Sequence, residues 1–119
     1  MPRIPSSSAT RAELRELLFD YNWDDGLELP RAIAAHPGCD LSLALDLFWL
    51  ADAYEALLSS TVENEFSIER LAFGRALAQD ILGGRYPRTD AVFKPPLSRT
   101  QRHLFGKDGL PAIFLTDIP

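Results

Sequence analysis

LSLALDLFWLADAYEALLSS, residues 41–60, contains neither glycine nor proline, and apolar side chains cover most of a helical wheel drawn through it. Asp40, directly before this stretch, is a suitable N-cap because its carboxylate can accept hydrogen bonds from the free N–H groups of a first helical turn. A helix that is apolar on nearly all sides is buried in a folded protein. The stretch therefore predicts a central helix over 41–60, around which the rest of the chain packs.

Two helices are predicted before the central one. Thr10 and Glu13 form a capping-box pattern, and apolar residues follow at helical spacing, which predicts a first helix over 11–21. Pro30 fits the first turn of a second helix because its missing N–H is not needed there. A Pro-Gly pair ends that helix, so we expect it to cover about 29–36.

Two more helices are predicted after the central one. Ser67 is a suitable cap for a broad apolar face over 68–82, which a pair of glycines ends. Ser98 and Gln101 form a second capping-box pattern, which predicts a short helix through Phe105.

The rest of the C-terminal sequence has few helix signals. Residues 85–96 are rich in turn-forming residues and predict an irregular strap over the surface. The run LPAIFLTDIP, residues 110–119, contains a proline that weakens a strand. We expect this run to lie extended against the helices, where it buries Ile113, Phe114 and Leu115.

The predicted fold is all-α: a compact single-domain bundle of four to five helices with an extended C-terminal segment. A chain of 119 residues has room for one hydrophobic core. We divide it into a flexible N-terminus over 1–10, a helical core domain over 11–84, and a basic strap and C-terminal segment over 85–119 that packs on the core.

From the cysteine content and the lack of long apolar runs, we expect the chain to be cytoplasmic. Cys39 is the only cysteine, which excludes an internal disulfide and a zinc site made of four cysteines. The chain shows neither the apolar run of a signal peptide nor one of about 18 residues that would span a membrane.

Charge is distributed unevenly along the chain. Residues 1–84 hold 14 acidic and 6 basic residues, a net charge of −8, whereas residues 85–119 hold 3 acidic and 6 basic residues, a net charge of +3. An acidic body disfavours nucleic acid as a ligand, because neutralising phosphates takes clustered lysine and arginine. It favours a basic protein partner, which the negative field would steer toward it.

The stretch YNWDDG at 21–26 has two readings. In one, carboxylates and an imidazole converge on a cation such as Ca²⁺, Mg²⁺ or Zn²⁺, with the ligands Asp24, Asp25, Glu28, His36 and Asp40. In the other, which the sequence favours, the stretch is a hinge: Asp25 and Glu28 cap the second helix, Gly26 permits a positive φ, and Trp23 fills the wedge between the first two helices. A hinge of this kind can also present a partner-binding patch.

Other residues that could carry chemistry are better explained by structure. His36 and Cys39 flank a Pro-Gly turn, with no strand-turn-helix elbow around the cysteine, so we expect a buried structural cysteine. Asp46 and Asp52 lie about 240° apart on a helix and do not form an acid–base pair. We expect one to face solvent and the other to accept a buried hydrogen bond from Trp23, Tyr21 or an arginine.

The basic tail is the main hint of nucleic-acid binding. Its cations are interleaved with Tyr86 and Phe93, but they are sparse and fit a solvated face or a pairing with the acidic body. The cations are Arg85, Arg88, Lys94, Arg99, Arg102 and Lys107.

The run 21–50, YNWDDGLELPRAIAAHPGCDLSLALDLFWL, resembles bacterial domain-of-unknown-function family 4274. The resemblance rests on NWDDG, Pro30, HPGCD and the apolar stretch with Phe48 and Trp49, followed by Asp52. It implies no catalytic residue. A looser similarity of size and charge links the chain to the immunity proteins of polymorphic toxin systems.

The sequence and the resemblance together predict a binding protein of immunity type, which is not an enzyme and uses no metal or cofactor. It would occlude the active site of a basic toxin domain, without nucleic acid or membrane as partner, through Trp23, Asp24, Asp25, Glu28, Glu63 and Glu65. One alternative is a small metal-dependent enzyme centred on Asp24, Asp25, His36 and Asp40. The other is an adaptor that docks through the apolar run at 110–115.

Overall fold

The computed structural model of the protein describes residues 5–54 and 65–118, and of Asp24 and residues 65–67 it describes the backbone alone. Within these residues the chain forms five α-helices and two short 3₁₀ turns. The helices are α1 Arg11–Phe19, α2 Glu28–Ala35, α3 Leu41–Leu50, α4 Glu65–Leu82 and α5 Arg99–Lys107; the 3₁₀ turns are Trp23–Asp25 and Ala112–Phe114.

The central helix α3 is the core of the bundle, as predicted. Eight of its ten residues are buried, and it packs against α1, α2 and α4. Asp40 caps its first turn by accepting a hydrogen bond from the Leu43 N–H at 2.8 Å. The prediction of an all-α bundle with a buried central helix is therefore confirmed.

The two predicted capping boxes are both present. Thr10 and Glu13 exchange hydrogen bonds at the start of α1, and Ser98 and Gln101 do so at the start of α5. Each pair satisfies backbone N–H groups that have no partner within the helix. These local signals fix where the two helices begin.

The prediction that α3 extends through residue 60 is wrong over residues 51–53, because α3 ends at Leu50 and these residues form a turn. Asp52 adopts a left-handed conformation with φ 54°, the Ala53 N–H bonds to the Phe48 carbonyl at 3.0 Å, and the Asp52 N–H bonds to the Trp49 carbonyl at 3.2 Å. This is the Schellman motif that ends many helices, with an aspartate where glycine is usual. The predicted helix over 55–60 lies outside the described residues.

The start of α4 also differs from the prediction. Ser67 does not cap this helix, because the helix already begins at Glu65 and Ser67 lies inside its first turn. Its other end is as predicted: Gly84 has φ 80° and the Arg85 N–H bonds to the Asp80 carbonyl at 3.0 Å. At Gly74 α4 passes so close to the end of α3 that an added Cβ would lie 3.0 Å from the Cβ of Ala53.

The C-terminal segment packs on α3 but is not simply extended. Pro111 precedes a 3₁₀ turn, which buries Phe114 completely and leaves Ile113 and Leu115 half-buried. The Phe114 ring stacks on Phe48 with centroids 4.1 Å apart, and its carbonyl accepts a hydrogen bond from the Trp49 indole at 3.1 Å. The apolar run proposed for an adaptor is thus already packed within the chain.

One pair of backbone hydrogen bonds joins the strap to the C-terminal segment. The N–H groups of Phe93 and Ile118 each bond to the other's carbonyl, at 3.0 and 2.8 Å. Within the described residues, no helix has both the length and the apolar character needed to cross a membrane.

Candidate functional site

The corner between α1 and α2 carries exposed carboxylates beside a pair of aromatic rings. We call Trp23, Asp24, Asp25 and Glu28 the acidic corner. Asp25 and Glu28 are exposed, Trp23 is half-buried against the core, and Asp24 lies in the 3₁₀ turn with its side chain outside the description. The prediction that this stretch forms a bend between two helices is confirmed.

Backbone and aromatic contacts close the bend. Gly26 has φ 96°, a conformation that glycine adopts without steric cost. The Tyr21 hydroxyl donates a hydrogen bond of 2.7 Å to the Gly26 carbonyl, and the Tyr21 and Trp23 rings meet edge to face with centroids 5.6 Å apart. These contacts set the direction in which α2 leaves the corner.

The predicted capping of α2 by Asp25 and Glu28 is wrong. Leu27 is the N-cap of α2, without a side-chain capping bond, and Glu28 is the first residue of the helix. The turn places Asp25 two residues too early to cap. Glu28 still lies where a carboxylate is favoured, because the amino end of a helix carries partial positive charge.

The two exposed carboxylates act on the same neighbour. The pKa of the Tyr21 phenol is raised by its burial and then by the negative charges of Asp25 and Glu28. The two charges therefore add at one point of the surface. A negative potential focused in this way would attract a cationic group from a partner.

Arg70 connects the acidic corner to α4, a contact that the sequence did not reveal. Its guanidinium carbon lies 5.3 Å from the centroid of the Trp23 ring. A cation over an indole face is an attractive arrangement. The side chain of Arg70, in the second turn of α4, therefore lies beside the acidic corner. Glu65 begins α4, with its side chain outside the description, and Glu63 lies outside the described residues.

His36 and Cys39 do not form a nucleophile–base pair. The His36 Nε2 lies 2.7 Å from the Ser6 carbonyl and its Nδ1 accepts a hydrogen bond of 2.9 Å from the Gly38 N–H, which fixes the neutral tautomer with hydrogen on Nε2. Cys39 is buried, and burial followed by the charge of Asp40 raises the pKa of its thiol to about 12. A thiol with this pKa is not a nucleophile at neutral pH.

The aspartates of the central region also have structural partners. Asp46 is paired with Arg15 at 3.5 Å, and burial raises the pKa of its carboxyl despite the attraction of that guanidinium. Asp52 is exposed at the end of α3. The expectation that one aspartate faces solvent is confirmed for Asp52, whereas Asp46 pairs with an exposed arginine and not through the buried hydrogen bond that was expected.

Across residues 5–54 and 65–118, no three His, Cys, Asp or Glu side chains are grouped closely enough to hold a metal ion. Of the residues suggested for a metal site, His36 is bonded to backbone groups and Asp40 is nearly fully buried among its own partners. The described part of the site therefore consists of carboxylates at the surface and polar groups that hold the fold.

The family model described as "Domain of unknown function (DUF4274)" matches residues 9–78. The chain belongs to the DUF4274 family. The resemblance read from NWDDG, HPGCD and the apolar stretch is confirmed. No curated protein and no solved structure matches the chain.

Asp40 lies within the matched DUF4274 segment and forms a hydrogen bond to the strap, which lies outside that segment. One oxygen of this carboxylate accepts hydrogen bonds from the Arg11 Nε at 3.0 Å and from the Thr89 hydroxyl at 2.6 Å. Arg11 also donates to the Ser42 hydroxyl, which in turn donates to the Val92 carbonyl at 2.7 Å. Asp40 therefore fastens the strap onto α1 and α3.

A groove between α2 and α4 is the feature of this DUF4274 chain that the sequence patterns missed. Its volume is about 280 Å³, and Arg31 and Asp80 flank it. Its apolar lining comes from Ala34, Ala35, Ala72, Phe73, Ala76 and Leu77. The available signal was the breadth of the apolar face over 68–82, part of which lines the groove.

Proposed function

We propose that this DUF4274 protein is a cytoplasmic binding protein of immunity type that neutralises a cognate bacterial toxin. It would cover a basic active-site cleft with the acidic corner, and it would carry out no reaction of its own. The observation that supports the proposal most directly is the pair of exposed carboxylates, Asp25 and Glu28, whose charges add at Tyr21.

The corner combines the two features that a tight interface needs. Exposed carboxylates raise the rate of encounter with a basic surface, because complementary potentials steer diffusing partners. Trp23 and Tyr21 are half-buried next to them. Tyrosine and tryptophan are among the residues that most often supply binding energy at interfaces.

The polar residues away from the corner support a binding role because their hydrogen bonds hold the fold. His36 bonds the N-terminal segment to the turn after α2, and Asp40 bonds the strap to α1 and α3. Cys39 stays protonated at neutral pH. The groups that an alternative enzymatic role would use are thus engaged in bonds on which the structure depends.

Charge reversal at the corner tests the proposal. The toxin would be a protein encoded by a neighbouring gene, expressed in cells together with either the wild-type chain or the double variant Asp25→Lys/Glu28→Lys. We expect the wild type to restore growth and the double variant to fail. The double variant should associate with the purified toxin at least about tenfold more slowly at low salt.

The matched control reverses two exposed acids elsewhere, in the variant Asp90→Lys/Asp108→Lys, with the same change in net charge. This control should protect as the wild type does, and circular dichroism should show both variants folded. Protection by the corner variant equal to that of the wild type would contradict the role of the corner. If the wild type relieves the toxicity of none of the neighbouring gene products, the immunity function is contradicted.

A further inference from the structure

Helix α4 exposes some apolar side chains in addition to those that it buries in the core. Phe73, Leu77 and Ile81 are buried in the core, whereas Ile68 and Leu82 are about half exposed, at 49% and 53% of their surface. The exposed positions between them include two alanines and only two charged residues; they are Glu69, Ala72, Arg75, Ala76 and Gln79. The exposed face of α4 is therefore mixed, and its alanines lie on the side of the groove.

The groove beside this face has the shape to receive part of another chain. Alanines of α2 and α4 line it with their short side chains, together with the buried Phe73 and Leu77. Its 280 Å³ lies just below the range of about 300–1,000 Å³ typical of small-molecule pockets. From Ala72 to Asp80, α4 rises by about 12 Å at 1.5 Å per residue, which is about two turns of a docked helix.

The groove begins at the acidic corner. Glu28 starts α2, and the contact between Arg70 and Trp23 places the first turns of α4 at the same end. Later residues of both helices, Arg31, Ala34 and Ala35 of α2 and Ala72 to Asp80 of α4, then line the groove. At the far end, Asp80 is paired with Arg85 at 2.8 Å.

Charge at the near end of the groove selects the kind of partner. The 3₁₀ turn and the first turns of α2 and α4 contain two arginines, Arg31 and Arg70, against five acids. The acids are Asp24, Asp25, Glu28, Glu65 and Glu69. A segment that lies along the groove with lysine or arginine at this end would gain complementary charge as well as apolar burial.

We propose that the groove between α2 and α4 binds an amphipathic helix of the partner protein, with the helix's apolar face in the groove and its basic residues at the acidic corner. The inference rests on the proposed function, because it gives the chemistry of the segment that the toxin presents. A helix inserted into a groove buries side chains at positions i, i+3, i+4 and i+7. The alanine walls leave room for such a ridge of larger side chains.

The test uses a synthetic peptide and therefore does not require the toxin. A peptide of about 18 residues, with leucine on one helical face and lysine on the other, is titrated into the ¹⁵N-labelled full-length chain. We expect amide shifts concentrated at Ala34, Ala35, Ala72 and Ala76. A peptide with glutamate in place of lysine should bind at least about tenfold more weakly, because only the charge differs.

Two tryptophan variants separate the groove from the rest of the surface. Ala76→Trp fills the groove and should weaken binding of the lysine peptide by about tenfold or more. Ala12→Trp adds the same side chain at an exposed alanine of α1 and should leave the affinity unchanged. Circular dichroism checks that both variants fold.

The inference is overturned if the lysine peptide shifts no amide of the groove, if the glutamate peptide binds equally well, or if Ala76→Trp binds as the wild type does. If one of these results is obtained with a chain that still neutralises a toxin, the groove proposal is wrong and the immunity function stands. If the chain binds the lysine peptide in the groove but neutralises no toxin, the groove proposal is supported and the immunity function is contradicted.

Discussion

Asp40 and Asp25 lie fifteen positions apart in one chain and have opposite surroundings. Asp40 is 3% exposed and bonds to Arg11, Thr89 and the Leu43 N–H, whereas Asp25 is exposed in a turn. Burying a carboxylate costs free energy unless hydrogen-bond partners replace the water molecules that it loses. The interactions of Asp40 therefore stabilise the fold. An exposed carboxylate keeps its water and its negative potential, which a partner can use.

Removing the buried member of this comparison should have the largest effect. Asp40→Ala deletes the cap of α3 and leaves Arg11 without its ion pair, so we expect a loss of about 3–5 kcal/mol in the free energy of unfolding. Urea denaturation followed by circular dichroism measures it. Asp40→Asn keeps an acceptor for the Leu43 N–H and should lose less. A loss below about 1 kcal/mol for the alanine variant would show that the network adds little.

Trp23 lies between the two extremes because its ring is half-buried. Truncating a fully buried tryptophan costs about 3–5 kcal/mol, so we expect about 2 kcal/mol for Trp23→Ala. The melting temperature should fall accordingly, and Trp23→Phe, which keeps an aromatic ring against Tyr21, should recover part of the difference. A melting temperature equal to that of the wild type would mean that the ring does not help to hold the bend.

Asp52 extends the comparison to an aspartate that is exposed but strained. It occupies the left-handed position at the end of α3, where α4 and α5 have Gly84 and Gly109. Glycine adopts this conformation without the steric cost that other residues bear, so Asp52→Gly should raise the unfolding free energy by about 1 kcal/mol. Thermal unfolding measures the gain. As a control, Gly84→Ala introduces strain at the matching position of α4 and should lower the melting temperature.

Substituting Asp25, the exposed aspartate of the comparison, should have the smallest effect on stability. Asp25→Ala removes no helix cap, since Leu27 occupies that position, and we expect a change within about 0.5 kcal/mol. The same denaturation experiment checks it, with Asp40→Ala as the reference for a structural aspartate. A loss near 1 kcal/mol would indicate that Asp25 stabilises the turn after all.

Sequence patterns predicted best what depends on a few neighbouring residues. Thr10, Asp40 and Ser98 were all identified as caps, because a cap and its N–H partner lie three residues apart. The end of α3 was missed because aspartate is not a usual stop signal; the stop at Asp52 depends on a backbone conformation that composition does not reveal. The capping role of Asp25 was wrong because Asp25 is the last residue of the 3₁₀ turn and Leu27 takes the N-cap position of α2.

The candidate site was predicted in part. Asp25 and Glu28 are exposed, as a binding patch requires, because carboxylates without partners are costly to bury. Arg70 beside Trp23 and the groove between α2 and α4 depend on contacts between residues about 40 positions apart. Periodicity within a single segment contains no information about such pairs.

The packing of Phe114 on α3 constrains how the protein can be made. Trp49 donates its indole hydrogen bond to a carbonyl 65 residues later in the chain, and Phe48 stacks on the ring of that same residue. A ribosome adds residues one at a time, so the central helix emerges long before the residue that covers it. In the interval its aromatic face is open to water or to chaperones, and the core can close only late in synthesis.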